Sequence, residues 1–529
     1  MTGRMLSALT ALIVAVAPCA AAQAEAWWGH VQALAHDSMR GRATGSPEHR
    51  KAAEYVAAHF RQAGLTPGGT DGFFQPVKFV TRSIVEERSS AALVRDGVPE
   101  PLRLGEDAYF VLRAPLAERV EAPLVFVGYG LHIPELGHDD LAGLDLRGKV
   151  VVTLPGVPQG LAGPVVSHAR SNGWAALRRA GAIGVIVIAS PRADVPWARA
   201  ALARFTPQMT LADEALNTTG GQSLSLTFNP ASAERLFLGS GHRFAELLAL
   251  ADSGKPLPRF ALPVSIRAVA KTMTVETVSD NVAGILPGSD PRLRNEYVVL
   301  SAHLDHVGVG WPIDGDSIYN GAMDNASGIA TLIETATAMA RMKTRPRRSI
   351  VFLAVTAEEK GLLGSRYYAA KPTVPAASIV ANLNTDMFLP INPLKALIVN
   401  GLEESDLADD AREAAAPLGI AVLSDPEPER NAFVRSDQYS FIQRGIPALS
   451  LKAGFTKDSP EHERVKRWRA ERYHGPADDL DQPVDRQAAA DFNRLYLALV
   501  TRVANRATRP AYHADSFFRR FAAPATGAF

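Results

Sequence analysis

The chain has 529 residues, 47% of them apolar and 21% charged, a mix that excludes a disordered chain, a collagen and a multi-span membrane protein. Lys plus Arg number 56 against 55 Asp plus Glu, so no strong field draws nucleic acid or an anionic membrane to it. One cysteine, Cys19, rules out an internal disulfide and any Cys-based zinc or iron–sulfur site, which leaves chemistry to His, Asp, Glu, Ser and Tyr.

The N-terminus reads as an export signal. Arg4 supplies a positive start, residues 5–16 are almost unbroken apolar, and Pro18-Cys19-Ala20-Ala21-Ala22-Gln23-Ala24 is rich in small residues. That order marks a secretory signal peptide over residues 1–24, cleaved near Ala22 or Ala24, and the apolar run is too short for a membrane span. A lipoprotein acylated at Cys19 is the lesser reading, because Pro18 is a poor neighbour. The expected location is therefore periplasmic or secreted.

From Trp27 to about Gly64 the spacing is helical, with Tyr55, Val56 and Phe60 on one face and a loop at 41–47. From 107 to 275 the texture changes to strand-like runs at 124–127, 149–154 and 185–189, with a short helix around Trp174, and this stretch reads as a separate β-rich module. After about 276 strands at 282–286, 297–300, 350–355, 379–383, 397–399 and 448–451 alternate with helices. The helix from Ser327 has apolar residues at Ile329, Leu332, Ile333, Ala336 and Met339, and a last helix runs over about 486–504. Alternation of this kind predicts an α/β domain with a mostly parallel central sheet flanked by helices. The expected division is 25–106 and 276–508 for that domain, 107–275 for the insert, and 509–529 for a C-terminal tail without clear periodicity.

In open α/β sheets, sites form beyond the carboxyl ends of the strands. His303-Leu304-Asp305-His306 follows the strand at 297–300, Glu358-Glu359 follows 350–355, and Asp386 follows 379–383. Asp324-Asn325 precedes the helix at Ser327, and Tyr473-His474 with Asp478 lies far downstream. Each has a bland alternative: a solvated Glu pair, a helix-capping Asp or Asn, a packed histidine, a turn-forming Asp. Together at strand ends they are the donor set of a two-metal hydrolase, in which imidazoles and carboxylates hold zinc and one carboxylate stays free as a base. No G-x-S-x-G elbow, H-E-x-x-H helix or phosphate-binding loop competes; His462-Glu463 is followed by Lys466, not His.

The set Ala302-His303-x-Asp305, Gly321-Ala-x-Asp324-Asn325-Ala-Ser327-Gly328, Glu358-Glu359-x-Gly361-Leu362, Asn384-x-Asp386-Met387 and Tyr473-His474-x-x-x-Asp478 resembles metallopeptidase family 28, the zinc exopeptidases that include leucyl aminopeptidases and the glutamate carboxypeptidase group. The insert, with Gly128-Tyr129-Gly130 and the run Asp145-Leu146-Arg147-Gly148-Lys149-Val150, resembles a protease-associated domain. The resemblance implies two zinc ions (Zn2+) per chain, one on His303 and Asp386, the other on Glu359 and His474, with Asp324 bridging. It implies Glu358 as general base, Asp305 orienting the His303 imidazole, and Tyr473 stabilising an oxyanion. Asp305, Asp314, Asp316, Asp324, Glu358, Glu359 and Asp386 make the metal loops acidic, which suits a substrate ammonium, so removal of N-terminal residues from peptide substrates is expected; charge balance and short apolar runs leave out nucleic acid and a membrane span. Carboxypeptidase action is the runner-up, and a receptor-like relative that binds without catalysis comes after it. Ser436-Asp437-Gln438 departs from the family, where His often follows that Asp, and so bears on contacts with substrate.

Overall fold

The computed structural model describes residues 22–161, 163–192 and 196–522, and residues 1–21, most of the expected export signal, lie outside the described range. The chain divides into two compact units, Met1–Val77 with Val278–Phe529, and Lys78–Thr277.

The first unit begins with helix α1 over residues 22–34 and α2 over Pro47–Gln62. Among the strands of its sheet are β1 (Thr272–Leu286), β2 (Tyr297–His303), β3 (Ser349–Val355), β4 (Ile379–Thr385), β5 (Ala396–Asn400), β6 (Ala421–Leu423) and β7 (Ala448–Ala453), in the order β1-β3-β2-β4-β7-β5-β6. The centre, β3-β2-β4-β7, is parallel, as are β5 and β6, whereas β1 and β5 join it antiparallel. Central strands of a parallel sheet are covered on both faces, which is why Ser349–Val355 is buried throughout. Alternation assigns the faces. Val298, Leu300, Ile350 and Phe352 pack with α2, α3 (Ser327–Ala340) and α6 (Arg486–Asn505), whereas Val299, Val351 and Leu353 pack with Tyr368 of α4 (Leu363–Ala370) and Phe441 of α5 (Gln438–Ile442). This is a mixed α/β fold with helices on both faces of a mixed sheet whose centre is parallel.

The second unit has its own eight-stranded sheet, ordered Val98–Leu102, Ser90–Arg95, Phe260–Val269, Arg119–Phe126, Val150–Thr153, Gly184–Ile188, Leu224–Phe228, Ala108–Phe110. Trp174 and Leu177 of a short helix pack on Val125 and Val151 of that sheet. The unit begins at residue 78 where 107 was expected, because Ser90–Arg95 pairs with Phe260–Val269 in this sheet and Val98–Leu102 pairs with Ser90–Arg95 at its edge.

The expected loose tail is packed as far as residue 522. Phe518 is buried against Phe433 with ring centroids 5.4 Å apart, and the Tyr512 hydroxyl donates to the Ile446 carbonyl at 2.9 Å. Three phenylalanines within Phe517–Phe521 give this segment an apolar side to bury.

Candidate metal centre

Strand register delivers the site. His303 is level with Val355, so the chain leaving β3 carries Glu358 and Glu359 past the end of β2. Ser301 is level with Asn384, which places Asp386 just beyond the end of β4 on the other side. Asp324 enters from the segment before α3. Gly321 starts that segment at φ +63°, and a Cβ there would stand 2.2 Å from the Asp324 carbonyl oxygen and 2.5 Å from His306 Cγ, so only glycine fits. Asn325 is buried, donates to the Thr385 carbonyl at 2.9 Å and accepts the Gly328 N–H at 2.9 Å, capping α3 while Asp324 faces the site.

The five side chains expected as ligands converge, and Asp324 stands between two groups. His303 Nε2 lies 3.1 Å from Asp324 Oδ1 and 3.4 Å from Asp386 Oδ1. On the other side His474 Nε2 lies 3.2 Å from Asp324 Oδ2 and 3.2 Å from Glu359 Oε2. Ligand atoms about 2.0–2.1 Å from a tetrahedral zinc stand roughly 3.3 Å from one another, so these separations match the edges of two cages sharing one carboxylate. Asp324, Glu359 and Asp386 have no Lys or Arg within ion-pair distance among the described residues; their close basic neighbours are imidazoles. Carboxylates so deeply buried require compensating positive charge, and the donor set fits zinc.

The electrostatics follow from this crowding. Burial alone would raise Asp324, but hydrogen bonding from His303 and His474 and the charges of His306 and His303 hold it well below the usual carboxylate range. Burial also works against the charged form of His474, yet Glu359 and Asp324 raise it to about 11. His303 is likewise raised well above an ordinary histidine, the charges of Glu358 and Asp386 and contacts with Asp324 outweighing its burial. Glu358 is pushed the other way. Burial first, then the negative charges of Glu359, Asp386 and Asp437, raise its carboxyl well above the usual range. Tyr473 stacks on His474 at 3.9 Å between centroids, and burial together with the carboxylates raises its phenol.

A second layer of contacts holds the frame. Asp305 is placed differently from the expectation. The His303 Nδ1 contact, at 3.0 Å, is with the Asp305 main-chain oxygen. The Asp305 carboxylate instead accepts the N–H of Glu358 at 3.0 Å, the N–H of Glu359 at 3.4 Å and the Thr44 hydroxyl at 2.9 Å. The reason is local: β2 ends at His303, the chain turns, and the side chain two residues on faces the neighbouring loop. Asp478 accepts the N–H groups of Met323 at 2.9 Å and Asp324 at 3.0 Å. Gln438, at the position that departs from the family pattern, is buried and accepts from Asn384 Nδ2 at 2.9 Å while donating to the Phe433 carbonyl at 2.8 Å. Asp314 and Asp316 stay exposed around a hairpin turn and take no part in the cage.

Two contributors were missed by reading the sequence. Arg42 is fully buried and donates to four carbonyls: Leu304 at 3.0 Å, Leu34 at 2.5 Å, Asn320 at 2.7 Å and Gly321 at 3.0 Å. It ties the loop after β2 to the segment carrying Asp324. His306, also fully buried, stands with Nδ1 2.8 Å from Glu359 Oε1 and 3.9 Å from Asp324 Oδ2. The Gly41-Arg42 pair and the His303-x-x-His306 spacing were the only hints of them.

Beside the cage a cavity is lined by Asp386, Tyr473, Met387, Phe455, Lys452 and Arg435 among others.

Residues 281–500 match the profile of peptidase family M28. Leupeptin-inactivating enzyme 1 of Streptomyces exfoliatus is 30% identical over 243 residues, which are 42% of this chain and 50% of that protein. Aminopeptidase YwaD of Bacillus subtilis (strain 168) is 29% identical over 217 residues, 40% of this chain and 42% of that protein. The chain thus spans half or less of the length of these curated relatives. A solved aminopeptidase from Aneurinibacillus sp. strain AM-1 superimposes with a TM-score of 0.54 at 19% identity, covering 90% of this chain and 93% of that one, a likeness of fold. With the motif residues gathered around one shared carboxylate and the profile running over the same strands, the unit that carries this centre belongs to peptidase family M28.

Proposed function

We propose that the protein is an exported, zinc-dependent aminopeptidase that hydrolyses the first peptide bond of its substrates. The observation that carries the reading is the shared Asp324, 3.1 Å from His303 on one side and 3.2 Å from His474 on the other. His303 and Asp386 would hold one zinc, Glu359 and His474 the other, with Asp324 bridging. Bound zinc would supply Lewis acidity, polarising the scissile carbonyl and making water a nucleophile near neutral pH. Glu358 would be the general base. Its raised proton affinity suits it to take a proton from the attacking water and pass it to the leaving amine, and its partial exposure leaves it open to substrate. The phenol of Tyr473, kept protonated, would donate a hydrogen bond to the oxyanion. Asp305 positions the base by gripping its main-chain N–H. We read Lys78–Thr277 as a protease-associated module on the motifs of its sequence. Export rests on the composition of residues 1–24; among the described residues no helix is long and apolar enough to cross a membrane.

A carboxypeptidase is the second reading, favoured by one observation. The cavity beside Asp386 and Tyr473 is lined by Lys452, Arg430 and Arg435, none ion-paired to a carboxylate among the described residues, whereas Arg469 is bound to Glu427 at 2.7 Å. Such cations suit a C-terminal carboxylate. One peptide offered in free, N-acetylated and C-amidated forms decides. An aminopeptidase cleaves the free and amidated forms and not the acetylated one; cleavage of the acetylated form with resistance of the amide establishes the second reading.

A further inference from the structure

The two oxygens of Glu359 face different imidazoles. Oε2 stands 3.2 Å from His474 Nε2, the length of a cage edge. Oε1 stands 2.8 Å from His306 Nδ1, which is hydrogen-bond length and shorter than any edge of the two cages. From Asp324 Oδ2 the same nitrogen is 3.9 Å away, beyond an edge. The contact is an ion-pair distance whose N–H does not point along it: among the described residues neither His306 nitrogen nor Glu359 Oε1 has an in-line hydrogen-bond partner, and this is the shorter of the two carboxylate contacts of Nδ1. His306 has little freedom to move off it. Its side chain is 0% exposed, its ring lies against the Gly321 Cα, and its main chain is bridged to Ala43 beside the Arg42 bolt.

We propose that His306 is a positioning residue for the metal centre: its Nδ1–H holds Glu359 Oε1, so that Oε2 alone is presented to the zinc shared with His474 and Asp324. The inference rests on the two-zinc reading above. A carboxylate free to rotate can chelate through both oxygens or swing away; one oxygen pinned by an N–H donor leaves the other as a single ligand in a fixed direction. Asp305 grips the same residue from behind, through the Glu359 N–H at 3.4 Å, so main chain and side chain are held independently. Outer partners of this kind set metal affinity by about 10–100-fold.

The test compares His306→Leu, which fills the space without a donor, with His306→Asn, whose amide N–H falls near the place of Nδ1. Stripped protein is titrated with Zn2+ against a chromophoric chelator, and Co2+ spectra are recorded in parallel. Wild-type protein should take two ions. His306→Leu should bind one ion as tightly as wild type and the other roughly 10–100-fold more weakly, with an altered Co2+ spectrum for that ion only. His306→Asn should return the second affinity to within a few-fold of wild type. Should His306→Leu fail to fold, as judged by the melting of stripped protein, His306→Met takes its place with the same expectation. Two ions bound with wild-type affinity and unchanged spectra in the leucine variant would overturn the proposal. An asparagine variant no better than leucine would overturn it too, since a ligand or a filler, not a donor, would then be what was lost. A wild-type protein that takes no zinc would instead sink the two-zinc reading itself.

Discussion

The Asp478 carboxylate grips the main chain of Asp324: Oδ2 accepts the Asp324 N–H at 3.0 Å while Oδ1 accepts the N–H of Met323 at 2.9 Å. A residue four positions beyond His474 thereby fixes the carboxylate that stands between His303 and His474. Gln482 donates to the same Oδ1 at 2.9 Å, so both oxygens are committed.

Asp478→Asn should therefore behave worse than its small change in shape suggests. One oxygen becomes an N–H₂ facing a backbone N–H, leaving a buried donor unpaired at a cost of about 1–3 kcal/mol. The expected outcome is a lower melting temperature for the stripped protein together with weaker binding of both zinc ions, because Asp324 is shared. Unchanged zinc affinity in a destabilised protein would show that Asp478 supports the fold and not the centre.

Glu358→Gln keeps size and polarity and removes the base. Zinc content should stay at the wild-type level while turnover falls by roughly 10²–10⁴. Near-normal turnover would take the base role from Glu358.

The centre's charges set a pH dependence whose sign can be stated. Without cation, His474 is raised to about 11 and His303 well above an ordinary histidine, so both are protonated at neutral pH. Zinc needs neutral imidazole, so binding displaces protons and its apparent affinity rises with pH. The raised imidazoles also stabilise the stripped protein, fully below the unfolded histidine value of about 6.5 and progressively less as pH climbs toward the folded values. Asp324 and Glu359 are depressed, and their contribution is lost on acidification below the ordinary carboxylate range. The zinc-induced rise in melting temperature should accordingly grow between about pH 6 and 9. A rise that is flat or shrinks over that window contradicts the assignment of both histidines as ligands.

Arg42→Met should be among the most damaging substitutions away from the ligands. It removes donors from four buried carbonyls, at a cost of about 3 kcal/mol or more. Burial lowers Arg42 to about 10, with Asp478, Asp305, Asp324 and Glu359 working in the opposite direction. The melting temperature of the stripped variant measures the loss, and a shift of less than a few degrees would show that water satisfies the carbonyls.

The contrast between these residues shows what a sequence exposes. His303, Glu358, Glu359 and Asp386 were legible because each follows an apolar run that has to end at the edge of a buried sheet. Asp324 and His474 were legible only through the motifs around them. Arg42 and His306 were not, since their partners are backbone carbonyls and one oxygen of a remote glutamate, contacts that leave no periodicity. For Asp305 the importance was legible and the geometry was not: the turn after β2 sends its carboxylate to the Glu358 loop and leaves the main-chain oxygen for His303. The boundary near residue 78 was hidden as well, because 90–95 and 98–102 form a local hairpin that could belong to either unit and only the long-range pairing of 90–95 with 260–269 assigns it.

The most direct test of the account is a titration of Zn2+ into stripped protein, followed by release of the N-terminal residue from an unblocked peptide. Activity absent at the start, restored as zinc is added and reaching its plateau at two equivalents per chain is the result predicted from a carboxylate shared between two imidazole cages. Full peptide cleavage by the stripped protein before any zinc is added would contradict it.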